Sequence, residues 1–305
     1  MILAISIPSS DAAVNNRNGL YIRKFSDTLF STTPIGGYMM LYERIPLDAD
    51  NPQVYLDIYV ADPVGSYVRS AMLVIPGGGY AACCADREGE PIAQAFMPNG
   101  FNAFVLHYST CTNSDKTFPA QLIEASKAMQ HIRQNAARYN IDPNRVFVCG
   151  FSAGGHLAAS LGTMWHLPEV TSVVPDGINK PTGMLLIYPV ISGKYHLSSL
   201  RNLLGISEPT EEQLAMCSIE NHVDSRSVPA FVMQTFNDEL VDVRNALTLA
   251  QAYKEANLSM ELHIYPDAPH GVALGNAITG CGNPKWENPA IAQWVRSAAF
   301  WANSV

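Results

Sequence analysis

The sequence predicts an α/β fold: a central, mostly parallel sheet with helices on both faces, carried in one domain spanning 1–305. Three observations predict it. Short apolar runs alternate with stretches of helical periodicity from about residue 54 to the C-terminus, the pattern of repeated βα units. One apolar run leads through Gly150-Phe151-Ser152-Ala153-Gly154 into a helix-like stretch, a strand–turn–helix setting. Finally, 48% of residues are hydrophobic and 15% charged, enough apolar material for a sizeable core and too much for a disordered chain.

Taken in order, residues 1–50 are polar and irregular and read as an N-terminal extension. Strands are expected over 54–60, 71–75, 103–108 and 146–149, with helices over 89–97 and 119–139. The second helix sets Leu122, Ala125, Met129 and Ile132 on one side. A strand over 184–188 follows the helix that starts after Gly154. Residues 192–228 break the alternation and read as an insertion, open as a cover over a functional site, a dimer contact or part of a substrate groove. Strands over 230–235 and 260–265 and helices over 243–256 and 289–302 complete the chain. In such sheets functional loops gather at the carboxyl ends of the strands.

The formal net charge of −8 argues against nucleic-acid and anionic-membrane partners. No apolar run is long enough to span a bilayer. The first residues, Met1-Ile2-Leu3-Ala4-Ile5-Ser6-Ile7-Pro8, have no Lys or Arg ahead of the apolar run and make a poor signal peptide. Six cysteines show no metal-ligand spacing, so they read as free thiols in a reducing, cytoplasmic setting. No metal or other cofactor is expected.

Gly-x-Ser-x-Gly between strand and helix is the pattern of a nucleophile elbow. It presents Ser152 at the tip of a sharp turn, with a helix N-terminus behind it that favours negative charge. A hydroxyl needs a base. Among the histidines, His107 and His263 fall within strands, His156 within the elbow helix and His222 in the insertion. His270 lies in a loop after a strand, near the C-terminus. The imidazole needs a carboxylate to fix its tautomer. Asp238 follows the strand 230–235, with Glu239, Asp242 and Asp267 as alternatives. Asp242 reads as a cap of the next helix, and Asp267 is only three residues from His270.

Gly77-Gly78-Gly79 follows the strand 71–75. The N–H groups of Gly78, Gly79 and Ala153 are the candidate donors to an oxyanion. A phosphate loop is excluded by the absence of G-x-x-x-x-G-K-[ST] and G-x-G-x-x-G. In Asp86-Arg87-Glu88-Gly89-Glu90-Pro91, Asp86, Glu88 and Glu90 fit the start of a helix. Arg87 and Glu88 equally fit polar contacts to a substrate. Tyr80 and Tyr188 read as walls of an acyl pocket or as core. Trp286 reads as a stacking surface for a sugar ring or as packing under the last helix.

These motifs together resemble the carbohydrate-active acetyl esterases of the α/β-hydrolase superfamily, the acetyl-xylan-esterase and feruloyl-esterase-like group. The resemblance rests on Ile75-Pro76-Gly77-Gly78-Gly79-Tyr80, Arg87-Glu88-Gly89-Glu90-Pro91-Ile92-Ala93 and Gly150-Phe151-Ser152-Ala153-Gly154-Gly155-His156-Leu157-Ala158. Tyr188-Pro189-Val190-Ile191-Ser192, Glu261-Leu262-His263-Ile264-Tyr265-Pro266 and His270-Gly271-Val272-Ala273-Leu274 extend it over 54–302. Pro76 stands where the lipase-type loop often has histidine, although this subgroup commonly has proline, and Asp242 stands where the acid loop often has proline. The resemblance implies Ser152 as nucleophile, His270 as base, Asp238 as acid, and Gly78, Gly79 and Ala153 as the oxyanion hole.

The function implied is a serine carboxylesterase that removes acetyl groups from carbohydrates, with an acylated oligosaccharide such as a xylo-oligosaccharide as its small-molecule partner. Xylan degradation is the setting. A prolyl-oligopeptidase-like peptidase and an arylformamidase share the elbow and triad and remain alternatives. A non-catalytic binding protein would be expected to lack a triad residue. A homo-oligomer is compatible with the sequence.

Overall fold

A computed structural model describes residues 40–175 and 177–305. The first 39 residues of the expected extension, including the apolar start, lie outside the described residues. The sheet contains β1 (Leu41–Pro46), β2 (Tyr55–Val60), β3 (Arg69–Ile75), β4 (Phe101–His107), β5 (Ile141–Phe151), β6 (Met184–Ile187), β7 (Ala230–Thr235) and β8 (Met260–Tyr265). Their order is β1-β2-β4-β3-β5-β6-β7-β8. The pairs β1–β2 and β2–β4 are antiparallel, and every pair from β4 to β8 is parallel.

Around the sheet lie α1 (Ala85–Glu88), α2 (Glu90–Phe96), α3 (Ala120–Gln134), α4 (Ser152–Met164), α5 (Pro168–Thr171) and α6 (Ser198–Leu204). They continue with α7 (Glu211–Cys217), α8 (Arg244–Glu255), α9 (Ala277–Gly280) and α10 (Trp294–Ser304). None of these helices is long and apolar enough to cross a membrane.

Period-two geometry explains why the inner strands read as continuous apolar runs. Successive side chains of β5 enter opposite faces, and both faces are covered. Val146 and Val148 join one core with Leu122, Met129, Leu161 and Leu249. Phe147 and Cys149 join the other with Phe96, Trp294 and Trp301. Helix α4 is buried along its whole length. Its glycines and alanines let it lie close to the sheet.

Two elements depart from the sequence reading. The helix read over 119–139 stops at Gln134, beyond which the chain turns into β5, and residues 41–46, which read as irregular, form the edge strand β1. Its exposure alternates residue by residue along LYERIP. The charges of Glu43 and Arg44 obscured that alternation. Arg44 is drawn in by Asp57 of β2, with a nitrogen–oxygen distance of 2.7 Å. The insertion 192–228 holds α6, α7 and a 3₁₀ turn, Ile219–His222.

The parallel register places the functional loops side by side. Ile75 pairs with Gly150, Phe151 with Ile187, Ile187 with Met233, and Thr235 with Tyr265. The chain leaving β3, β5, β6, β7 and β8 therefore emerges along one edge.

Candidate active site

The turn from β5 into α4 holds Ser152 at φ +52°, a conformation that costs a non-glycine residue strain. Tight packing enforces it. A Cβ at Gly154 would overlap the carbonyl oxygens of Ile75 and Pro76. Only glycine allows α4 to begin so close to the end of β3.

Ser152 Oγ lies 2.9 Å from His270 Nε2, and His270 Nδ1 lies 2.7 Å from Asp238 Oδ2. A carboxylate oxygen accepts, so Nδ1 carries the proton and Nε2 accepts from the serine hydroxyl. The Asp238 side chain is 1% exposed and that of His270 14%. The other oxygen, Oδ1, accepts from the N–H groups of Leu240 and Val241, each at 2.9 Å. These bonds fix the carboxylate's orientation. The Tyr188 ring meets the imidazole edge to face, with centroids 5.0 Å apart.

The alternatives to Asp238 point elsewhere. Asp242 pairs with Arg244 at 2.6 Å and accepts from the Arg244 N–H. It lies just before Val243, the residue that flanks the start of α8, and so satisfies the first backbone N–H of that helix from one position outside the cap. Asp267 and Glu239 are exposed. The other histidines weighed as bases are engaged as well. His107 contacts Asp57, His263 contacts Glu261, and His222 bonds the Met216 carbonyl.

His156 is fully buried between the Tyr80 hydroxyl at 2.8 Å and the Cys217 carbonyl at 2.7 Å. Burial lowers its pKa to about 4. A carbonyl only accepts, so Nε2 carries the proton and Nδ1 accepts from Tyr80.

The glycine loop lies beside the elbow. Gly78 has φ +126°, where a side chain would also strike the Ala82 carbonyl. Its own carbonyl accepts from Ala81 and Ala82. The N–H groups of Gly78 and Gly79 make no hydrogen bond among the described residues.

Four of the expected substrate contacts have other work. Tyr80 is 1% exposed and spends its hydroxyl on His156. Glu88 is buried and accepts from Gly77 N–H and from the Tyr188 hydroxyl, each at 2.8 Å. Burial pushes its carboxyl above the ordinary value, against the lowering effect of those two bonds. Tyr188 is buried too, and its oxygen accepts from Ala273 N–H at 3.0 Å. Arg87 donates to the Gly271 carbonyl at 3.1 Å and lies 4.3 Å over the Trp286 ring. Trp286 is half-buried beneath that guanidinium. Asp86 does not cap α1, whose first flanking residue is Cys84 without a side-chain cap.

Two residues had no signal in the sequence. His196, in the insertion, has Nδ1 3.2 Å from the Leu240 carbonyl and Nε2 2.8 Å from Ser199 Oγ. Asn202 donates to the Gly79 carbonyl at 2.8 Å. The insertion therefore touches both the acid loop and the glycine loop.

This constellation can be set beside known proteins. Residues 56–253 match the BD-FAE family. The chain is 41% identical over 214 residues to endo-1,4-beta-xylanase B of Butyrivibrio fibrisolvens, covering 68% of this chain and 33% of that protein. It is 32% identical over 211 residues to the acetylxylan esterase of Xylanibacter ruminicola, covering 67% and 41%. The chain thus spans less than half the length of either relative.

Among solved structures, the acetyl ester-xyloside bifunctional hydrolase from Caldicellulosiruptor lactoaceticus superposes with a TM-score of 0.72 at 32% identity, covering 86% of this chain and 96% of that one. An α/β-hydrolase from a Medee basin deep-sea metagenome library superposes at 0.70 and 32%, covering 87% and 97%. The expected α/β-hydrolase architecture is the one observed.

Proposed function

The chain belongs to the BD-FAE family, and from that premise we propose that it is a serine carboxylesterase that removes acetyl and other small acyl groups from carbohydrate hydroxyls, acting on xylo-oligosaccharides or related acetylated sugars. The observation that carries the reading is the partly buried hydrogen-bonded line from Ser152 Oγ through His270 to Asp238. The names of the relatives supply the substrate class: one is an acetylxylan esterase and another an acetyl ester-xyloside hydrolase.

Ser152 attacks the ester carbonyl while His270 Nε2 takes its proton. Asp238 holds the imidazole in the required tautomer and stabilises the imidazolium. The tetrahedral oxyanion turns towards the N–H groups of Gly78, Gly79 and Ala153, which the α4 N-terminus supports. His270 then protonates the departing sugar oxygen, and the acyl group remains on Ser152. Water, deprotonated by His270, attacks the acyl-enzyme, and acetate leaves with Ser152 restored.

The test is mass spectrometry of acetylated xylo- and manno-oligosaccharides after incubation with wild type and Ser152→Ala. Stepwise losses of one acetyl group with wild type alone support the reading and identify the preferred backbone. Turnover of 4-nitrophenyl acetate without sugar deacetylation would keep the mechanism and discard the substrate. Removing a triad serine costs ~10⁶-fold in kcat, so equal rates for the two proteins on the aryl ester would sink the mechanism.

A further inference from the structure

A buried carboxylate outside the serine–histidine–aspartate line links the loops on either side of Ser152. Glu88 Oε2 accepts from Gly77 N–H, at the root of the glycine loop. Its Oε1 accepts from the Tyr188 hydroxyl, whose oxygen in turn accepts from Ala273 N–H, three residues beyond His270. The neighbouring Arg87 donates to the carbonyl of Gly271, the residue after His270. One dipeptide thus grips the histidine loop at two points and the glycine loop at a third.

Packing alone does not call for an acid here. Burying a carboxylate is unfavourable unless its oxygens are well satisfied. What a carboxylate does, and an amide does not, is accept at both ends. Gly77 N–H and the Tyr188 hydroxyl both donate, one to each oxygen. A glutamine would turn its own donor towards one of them. The backbone held by this chain is also unfavourable on its own account. Tyr188 has φ +38° and Ala273 +49°. Strained conformations persist where surrounding contacts over-determine them.

We propose that Glu88 is a positioning residue: its two hydrogen bonds hold the glycine loop and the histidine loop at a fixed separation, so that the oxyanion donors and the His270 imidazole face the same acyl carbon. The proposal rests on the serine-esterase reading above. Glu88 touches neither substrate nor reacting atoms. It acts through Gly77 on one side and through Tyr188 on the other. Small misplacements of such groups are costly, about a hundredfold for 1 Å.

The experiment compares wild type, Glu88→Gln, Tyr188→Phe and the double variant. It reads kcat and KM for 4-nitrophenyl acetate, the inhibition constant of methylboronic acid (a mimic of the tetrahedral adduct on Ser152) and the thermal midpoint. Glu88→Gln should lower kcat about ten- to a hundredfold with KM changed less than about twofold. Methylboronic acid should weaken in step with kcat. If both residues act through one chain, the double variant should lose little more than the worse single one.

An unchanged kcat and boronate affinity in Glu88→Gln would overturn the proposal. So would a lower thermal midpoint with unchanged boronate affinity, since that marks a purely structural group. If Glu88→Gln fails to fold, Tyr188→Phe still tests the chain, because it removes one hydroxyl and keeps the ring against His270. Wild-type turnover that survives Ser152→Ala would instead reject the underlying serine reading and is distinguishable from either outcome.

Discussion

The side-chain amide of Asn202 donates to the carbonyl of Gly79 at 2.8 Å, across 123 positions of sequence. This bond fastens α6 of the insertion to the glycine loop. It orients the peptide beside the Gly79 N–H, one of the proposed oxyanion donors. A net hydrogen bond is worth ~0.5–1.5 kcal/mol. Asn202→Ala should therefore lower kcat on 4-nitrophenyl acetate about two- to tenfold. Asn202→Asp should do worse, because a carboxylate would face a carbonyl oxygen. Steady-state kinetics at matched thermal stability check this, and wild-type kcat in both variants would detach the insertion from the chemistry.

The parts of the site that were legible in the sequence are those that short motifs encode. Ser152 between two glycines, the triple glycine after β3, and His270 and Asp238 in loops after strands each carry a local signature. Glu88 also lies in a readable motif, but nearby acids at a helix start have an ordinary capping explanation, and nothing local reveals partners at Gly77 and Tyr188. Asn202 and His196 had no signature, since their partners come from loops far along the chain. Tyr80 and Tyr188 read equally as pocket walls or core. Their hydroxyls bond His156 and Glu88, and those contacts exist only after folding.

The close approach of α4 to the end of β3 makes a stability prediction at Gly154. A methyl group there would overlap two backbone carbonyl oxygens, those of Ile75 and Pro76. Neither can move without displacing β3 or the glycine loop. Overpacking of this kind costs about 1–3 kcal/mol, and sometimes more. Gly282 makes a control: it has φ +76° but nothing within 4 Å of an added Cβ. Gly154→Ala should lose more stability in urea unfolding than Gly282→Ala, whose cost is the positive φ alone, about 1–2 kcal/mol. Similar losses would show that the two carbonyls yield easily.

His156 makes stability depend on pH. Burial lowers its pKa from 6.5 to about 4 in the folded protein. Between those values the unfolded chain takes up a proton that the folded chain refuses. Stability is therefore unaffected by this group above about pH 6.5 and falls as the pH drops towards 4, by roughly 3 kcal/mol in full. His156→Gln keeps a donor towards the Cys217 carbonyl and an acceptor towards Tyr80, and it does not titrate. Urea unfolding at pH 7.5 and pH 4.5 should show a smaller drop in the variant than in wild type. Equal drops would assign the acid sensitivity to other groups.

The assignment of the acid can be tested among three aspartates in one region of the fold. Asp238 is buried, bonds His270 Nδ1, and receives two backbone N–H groups on its other oxygen. Asparagine at this position would retain an oxygen for one set of donors only. If that oxygen faces Leu240 and Val241, the amide NH₂ faces Nδ1, and the imidazole must take the opposite tautomer, with its proton towards Ser152. The serine would then lose its base. Loss of the tautomer costs ~10⁴-fold in kcat. Asp242 is tied to Arg244 instead, and Asp267 is exposed on the loop before His270. Asp238→Asn should therefore fall by about that factor on 4-nitrophenyl acetate, while Asp242→Asn and Asp267→Asn stay within about twofold of wild type. A loss confined to Asp242→Asn or Asp267→Asn would move the acid to that residue and would require the loop after β7 or β8 to rearrange when substrate binds.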